Sequence, residues 1–329
     1  MPEQALTTTR PGELVTTSPR PADQNPAAVY VAHLAPGGRP TMRQALQTIA
    51  GMLTSGQCDA STIEWGALRY QHTAAIRAAL AGQYAPATVN KMLSALRGTL
   101  KAAWRLGQMT ADDYRTATDL EPVKGSTLPR GRALSAGELR ALFDTCAGDP
   151  SPAGARDAAL LTILYAGLRR SEAVALDLAD YDPQTGALTV RAGKGHKDRT
   201  TYTDDGGREA LADWLAIRGQ EPGPLLYPVR KGGKLQRRRM TGDAVLEVMR
   251  KRAAQAPVSR FSPHDLRRTW IGDLLDAGAD IATVQALAGH ASVTTTAKYD
   301  RRPEATKRRA GNLLHVPYTR RPRRWPDGE

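Results

Sequence analysis

Apolar residues recur at three- and four-residue intervals through most of this chain and alternate in twos over one short stretch. Helices are therefore expected to dominate, with a single β-hairpin among them. From Asn25 to Leu120 the pattern is helical throughout. Thr41 is placed to cap MRQALQTIAGML, a second helix is expected through WGALRYQHTAAIRAAL to Gly82, and a third from near Pro86. In the third, Val89, Met92, Leu93, Leu96, Leu100 and Trp104 share one stripe while Lys91, Arg97, Lys101 and Arg105 fall elsewhere. One face should pack, and the other meets either phosphates or solvent.

EPVKGSTLPRGR, residues 121–132, has two prolines, two glycines and no periodicity, which marks an inter-domain linker. Beyond it, Ser135 and Glu138 form a capping box for a helix through LRALFDTCA, and residues 154–167 form a largely apolar helix ending at Gly167. DPQTG reads as a turn before the strand ALTVRA, followed by the turn GKGHKD and the strand RTTYT. Helices return in GREALADWLAIRG, TGDAVLEVMRKRAAQA, PHDLRRTWIGDLLDAG, IATVQALAG and a short segment through Tyr299. Ser262 and Pro263 give a strong start signal, so His264 falls in an electropositive first turn. No internal repeat is evident. The expected organisation is a disordered leader over 1–24, a helical domain over 25–120, the linker, a second domain over 133–312 and a basic tail over 313–329.

Composition narrows the partner. With 329 residues the chain can build two domains with their own cores, and 41% hydrophobic against 24% charged residues is an ordinary globular balance. A formal charge of +13 favours a polyanion over an acidic small molecule. Nucleic acid leads, although basic charge alone fits ribosomal proteins and membrane-surface binders equally well. Cys58 and Cys146 fall in different expected domains, which argues against a disulfide framework or a cysteine zinc site and for a cytoplasmic location. The leader has no apolar core, hence neither signal peptide nor anchor is expected. The most apolar run, AALLTILYAGL, is too short to span a bilayer.

The candidate chemistry is concentrated between His264 and Tyr299. His264 and Arg267 stand three residues apart and share a helix face, with His290 and Tyr299 further on. Upstream, YAGLRRSE sets Arg169 beside a helix start, and RAGKGHKDR sets Lys194 in a glycine-flanked turn. Guanidinium groups grip phosphate oxygens bidentately, imidazoles move protons near neutral pH, and a tyrosine can form a covalent link. Taken singly, each of these residues is more often a surface charge or a packing group. No phosphate loop of the G-x-x-x-x-G-K-[ST] type, no H-E-x-x-H and no carboxylate cluster appears, so a route without metal or nucleotide cofactor is the simpler reading.

The order of these segments resembles the tyrosine recombinase, or phage integrase, family. An arginine in a GLR-x-SE segment is followed by a lysine in a hairpin turn, an H-x-x-R helix, a GH pair and a tyrosine nine residues on. Here those are Arg169, Lys194, His264 with Arg267, His290 and Tyr299. The resemblance covers nearly the whole C-terminal half and, weakly, the helical N-terminal half. It implies a mainly α fold with a small β-sheet, in which a helical core-binding domain and a catalytic domain form a C-shaped clamp on duplex DNA. It further implies a site-specific recombinase that links Tyr299 to a 3′-phosphate, releases a 5′-hydroxyl and exchanges strands within a tetramer, with or without an accessory DNA-bending protein. Lys194 is implied as the acid for the leaving oxygen, with Lys197 as rival; His196 receives no role. Glu172 reads as a helix-start residue that orients Arg169, Arg170 is ambiguous, and Arg268 stands where many relatives carry a histidine. Trp270 is expected in the core. The basic runs at 230–239 and 250–252 are expected to track phosphates or to face solvent. An apolar LLHV in the tail is the suspected contact to a neighbouring protomer. Two other functions remain open on the residues alone: type IB topoisomerase-like DNA relaxation, and a non-catalytic DNA-binding accessory factor on the same scaffold.

Overall fold

In a computed structural model the structure describes residues 14, 19–125, 131–191, 198–300, 311 and 317. Most of the leader, part of the linker, the hairpin turn carrying Lys194, His196 and Lys197, and nearly all of the tail with LLHV lie outside the described residues. The chain divides into two compact units, Met1–Pro129 and Arg130–Glu329.

The first unit contains the helices α1 (Pro26–Ala32), α2 (Arg39–Leu53), α3 (Tyr70–Gln83), α4 (Pro86–Arg105) and α5 (Ala111–Thr118). Asn25 caps α1 by accepting from the Ala28 N–H at 3.0 Å, and Thr110 caps α5 through the Asp113 N–H at 3.1 Å. Two starts differ from the pattern. The α2 helix begins before Thr41, because a single 3-10 turn over Pro36–Gly38 runs directly into it and proline sets its first turn. The Trp65–Ala67 stretch is a separate 3-10 turn rather than the start of α3, since Trp65 is buried and its indole N–H donates to the Ala60 carbonyl at 3.0 Å. Arg69 is extended and separates that turn from α3.

The stripe on α4 packs as expected. Val89, Met92, Leu93, Leu96 and Leu100 are buried against Leu46, Ile49, Ile76 and Leu80, each such side chain contributing roughly 1.5–3 kcal/mol. Trp104 instead lies 40% exposed, stacked on Tyr114 with ring centroids 5.4 Å apart. Of the cations on the other faces, Arg97 is held inward by the Thr118 and Leu120 carbonyls, while Lys91, Lys101 and Arg105 are exposed. Within the stretch read as a leader, Leu14 is buried in this core and its carbonyl accepts from the Glu64 N–H at 3.0 Å.

The second unit contains α6 (Ala136–Ala147), α7 (Pro152–Tyr165), α8 (Arg170–Ala175), α9 (Asp205–Arg218), α10 (Gly242–Gln255), α11 (Pro263–Asp276), α12 (Ile281–Ala288) and α13 (Val293–Ala297). Its strands β1 (Tyr181–Asp182), β2 (Ala187–Val190) and β3 (Arg199–Tyr202) make one antiparallel sheet in the order β1-β2-β3. Two residues of β1 are too short to show a period; the pair forms because buried Tyr181 sits opposite buried Leu188. The capping box of Ser135 and Glu138 starts α6 as its spacing predicts. The α7 helix ends at Tyr165 rather than Gly167, and α13 stops at Ala297, leaving Tyr299 in the following turn with its N–H donating to Thr296 at 2.9 Å.

The basic runs are corrected in part. Arg252 is 1% exposed, with its guanidinium between Asp157 at 2.7 Å and Asp149 at 2.6 Å, so it holds α10 to α7 instead of facing a phosphate. Arg239 caps the C-terminal end of α8 by donating to the Val174, Ala175 and Leu176 carbonyls, and Arg237 pairs with Glu221. Arg230, Lys231, Lys234, Arg238, Arg250 and Lys251 are exposed. Among the described residues no helix is long and apolar enough to cross a membrane.

Candidate active site

The start of α11 is fixed by Ser262, whose side chain and N–H both donate to Asp265, at 2.8 and 2.9 Å. This places His264 and Arg267 on successive turns of the same face. Arg267 is 2% exposed and donates to two backbone carbonyls, those of Gly167 and Ala288. Gly167 must be glycine here: its φ is +86°, and an added Cβ would lie 2.3 Å from the ring of Trp270, which is buried as expected.

Arg169 precedes α8. Its N–H donates to Glu172 at 2.8 Å, its guanidinium donates to the same carboxylate at 2.7 Å, and a second guanidinium N–H reaches the Gly289 carbonyl at 3.2 Å. Gly289 closes α12 in the left-handed conformation, with φ +62°, which turns the chain and delivers His290. The His290 Nδ1 lies 2.9 Å from the Thr296 hydroxyl, and its ring stacks near that of Tyr299, centroids 6.1 Å apart. The His264 Nε2 lies 3.1 Å from the Tyr299 hydroxyl. Arg268 sits over the Tyr299 ring, 5.5 Å from its centroid, and donates to the Gly131 carbonyl at 2.9 Å. Five of the six residues expected from the sequence, Arg169, His264, Arg267, His290 and Tyr299, thus converge from α8, α11, α12 and the turn after α13; Lys194 lies outside the described residues. Arg169, His264 and Arg267 also line an open hollow of about 380 Å³.

A residue absent from the sequence reading completes the group. Arg199, the first residue of β3, donates to both Glu172 oxygens at 3.0 and 2.6 Å. Nothing in RTTY distinguishes it from a solvent-facing strand residue.

The electrostatics favour an anion. Burial by itself would raise the Glu172 carboxyl, but hydrogen bonds from Arg199 and Arg169 hold it at about 2. Three guanidinium groups against this one carboxylate leave the site strongly positive. Arg267 is pushed down to about 10, by burial first and then by Arg169 and Arg199, and stays charged at neutral pH. His290 is pushed down to about 4, by burial first, then by Arg267 and Arg169. His264 is lowered as well, by loss of water around its ring and then by Arg267 and Arg268. His290 is therefore neutral at pH 7 before an anion arrives, and the same influences favour the neutral form of His264.

For His290 the folded state binds its proton less readily than the unfolded state. Stability of the DNA-free protein should then be full above the ordinary histidine value of 6.5 and decline as pH falls towards about 4. Thermal melts across that window are expected to fall less steeply for His290→Gln than for the wild type. Equal slopes would show that the imidazole is not held in its neutral form.

The phage integrase family model matches residues 132–305, more than half of the chain. Tyrosine recombinase XerC of Azotobacter vinelandii is 37% identical over 212 residues, covering 64% of this chain and 67% of the relative. Tyrosine recombinase XerD of Caulobacter vibrioides is 32% identical over 247 residues, covering 72% and 76%. The Tn1549 transposon integrase in complex with transposon right end DNA has the same fold, with a TM-score of 0.65 at 15% identity over 88% of this chain and 99% of that chain. XerH site-specific recombinase bound to a palindromic difH substrate aligns with a TM-score of 0.58 at 22% identity over 81% and 75%. The chain belongs to the phage integrase family. It is a tyrosine-type site-specific DNA recombinase, an enzyme that cleaves and rejoins DNA strands.

Proposed function

We propose that Tyr299 is the nucleophile of this recombinase and that Arg169, His264, Arg267 and His290 form the pocket for the scissile phosphate. The observation that carries the reading is the 3.1 Å approach of His264 Nε2 to the Tyr299 hydroxyl, beside the Arg267 side chain of the same helix face. With Nε2 unprotonated, His264 accepts the phenolic proton as the tyrosine oxygen bonds to phosphorus. Arg169 and Arg267 hold the non-bridging oxygens, where charge accumulates in the transition state. His290 donates to the same oxygens. The bond from phosphorus to the 5′-oxygen breaks, and that oxygen takes a proton from Lys194, with Lys197 as rival donor. The product is a 3′-phosphotyrosyl link and a free 5′-hydroxyl. The link retains the energy of the phosphodiester, so reversal onto a new 5′-hydroxyl needs no nucleotide cofactor.

The enzyme would act in the cytoplasm on double-stranded DNA carrying specific sites, as a tetramer that pairs two duplexes. An accessory DNA-bending protein is compatible with this assembly, and residues 313–329 are the proposed contact between protomers. Exposed Arg230, Lys231, Lys234 and Arg250 would add contacts to phosphates that position the duplex without reading sequence.

The test is to trap the intermediate on nicked suicide duplexes drawn from a randomised pool, digest the SDS-resistant adduct and sequence the DNA-linked peptide. Linkage of a 3′-phosphate to the peptide containing Tyr299 is expected. An adduct on another peptide would refute the assignment, and relaxation of supercoiled plasmid without selected sites would favour the topoisomerase reading. Site-specific binding with no adduct would favour the accessory-factor reading.

A further inference from the structure

We propose that Arg199 is a positioning residue of the active site, setting Arg169 through Glu172 and setting His290 through the C-terminal turn of α12. The proposal rests on the reading of the pocket given above. The last carbonyls of a helix have no partner within the helix and carry its negative dipole end. At the end of α12 three consecutive carbonyls are each taken by a different arginine: Leu287 by Arg199 at 3.0 Å, Ala288 by Arg267, and Gly289 by Arg169 at 3.2 Å. The helix end thus gathers the two phosphate-gripping arginines and Arg199 around one terminus, and His290 is the next residue in the chain.

Arg199 itself faces away from the chemistry. Its side chain is 10% exposed, its Nε is used by Leu287, and both terminal nitrogens are used by Glu172. A planar fork held at three points cannot also grip a phosphate bidentately. What it does control is direction. Glu172 accepts from Arg199 and Arg169 together, so the plane of the carboxylate, and with it the reach of Arg169, is fixed by the bidentate pair. The αL glycine serves the same contact: an added Cβ at Gly289 would lie 2.8 Å from the Arg199 Cδ. Arg199 also pairs with Val190 in the end rung of the β2–β3 ladder. One side chain therefore ties this end of the strand pair to the two elements that present Arg169 and His290.

A purely structural ion pair makes a different prediction, and Arg199→Lys separates the two because it keeps the charge and loses the fork. The variant is compared with wild type in thermal midpoint, in affinity for suicide duplexes selected by the wild-type protein, and in single-turnover adduct formation at saturating DNA. Affinity should be unchanged, while the rate at saturation falls about ten- to a hundred-fold. Combining Arg199→Lys with Glu172→Gln should be no slower than the slower single variant, since both act on one network. A wild-type rate at saturation accompanied by a lowered thermal midpoint would overturn the proposal, as would full additivity of the two substitutions.

Tyr299→Phe is run alongside, so that loss of the nucleophile assignment is seen separately from loss of the Arg199 role. NMR of the guanidinium groups needs no DNA. Restricted rotation of the Arg169 side chain in the wild type should be released in Arg199→Lys, and an unchanged Arg169 signal would refute the positioning role even if no duplex yields an adduct.

Discussion

Replacing Tyr299 with phenylalanine is expected to remove the covalent DNA adduct altogether, with DNA binding and folding preserved. The substitution deletes one hydroxyl whose hydrogen bond is to His264, a partner that loses some water around its ring but keeps part of its surface in solvent and can bond water instead. Its stability cost should therefore stay near the net value of a single hydrogen bond, about 1 kcal/mol. The ring is retained, and with it the stacking near His290 and the contact beneath Arg268. Catalysis has no such tolerance, because a phenylalanine ring carries no oxygen to bond to phosphorus. Loss of a nucleophile from a cooperating catalytic group typically costs on the order of a million-fold in rate. The measurement is single-turnover adduct formation beside a gel-shift titration on the same duplex. Adduct persisting in Tyr299→Phe would transfer the role to another residue; adduct and binding lost together would indicate that the turn after α13 had been disrupted.

Arg267→Lys should be the second most damaging conservative change. A guanidinium carries five N–H donors in a fixed fork. Arg267 commits one to the Gly167 carbonyl and one to the Ala288 carbonyl, which anchors it while leaving others for a phosphate. A lysine ammonium has three donors on a single nitrogen and cannot reach two carbonyls and a phosphate oxygen from one point. The rate of cleavage at saturating DNA is expected to fall on the order of a hundred- to a thousand-fold. Arg267→Ala adds a folding penalty of about 1–3 kcal/mol for each buried carbonyl left unpaired. Lower thermal midpoints should therefore follow the order wild type, lysine variant, alanine variant. A lysine variant that cleaves at the wild-type rate would show that Arg267 is a structural strut and that Arg169 alone grips the phosphate.

Most of the fold was legible in periodicity because helices were the main elements and their caps were local. Serine and threonine hydroxyls before α5, α6, α10 and α11 accept from N–H groups three residues away, and such contacts can be read along the chain. The misplaced starts of α2 and α3 and the unseen β1 have a common origin. In each, proline in a preceding 3-10 turn or a buried aromatic ring outweighed the local pattern, and a two-residue strand has no pattern to read.

The site divides in the same way. Residue type, spacing and the family resemblance they carry selected the arginines, histidines and tyrosine proposed for the chemistry, because Arg267 follows His264 by one helical turn and Tyr299 follows His290 at the family interval. Charge sign was equally available, and with it a polyanionic partner. The destination of each remaining cation was decided only in three dimensions. Arg252 turned inward to Asp157 and Asp149, Arg97 to two carbonyls, Arg239 to the end of α8, and Arg199 to Glu172 and the end of α12. A guanidinium at the end of a long flexible side chain is chemically the same on a surface, in a buried ion pair or at a helix terminus. Its partners lie tens of residues away in sequence, so only the packing that brings them within about 3 Å determines which of these it becomes.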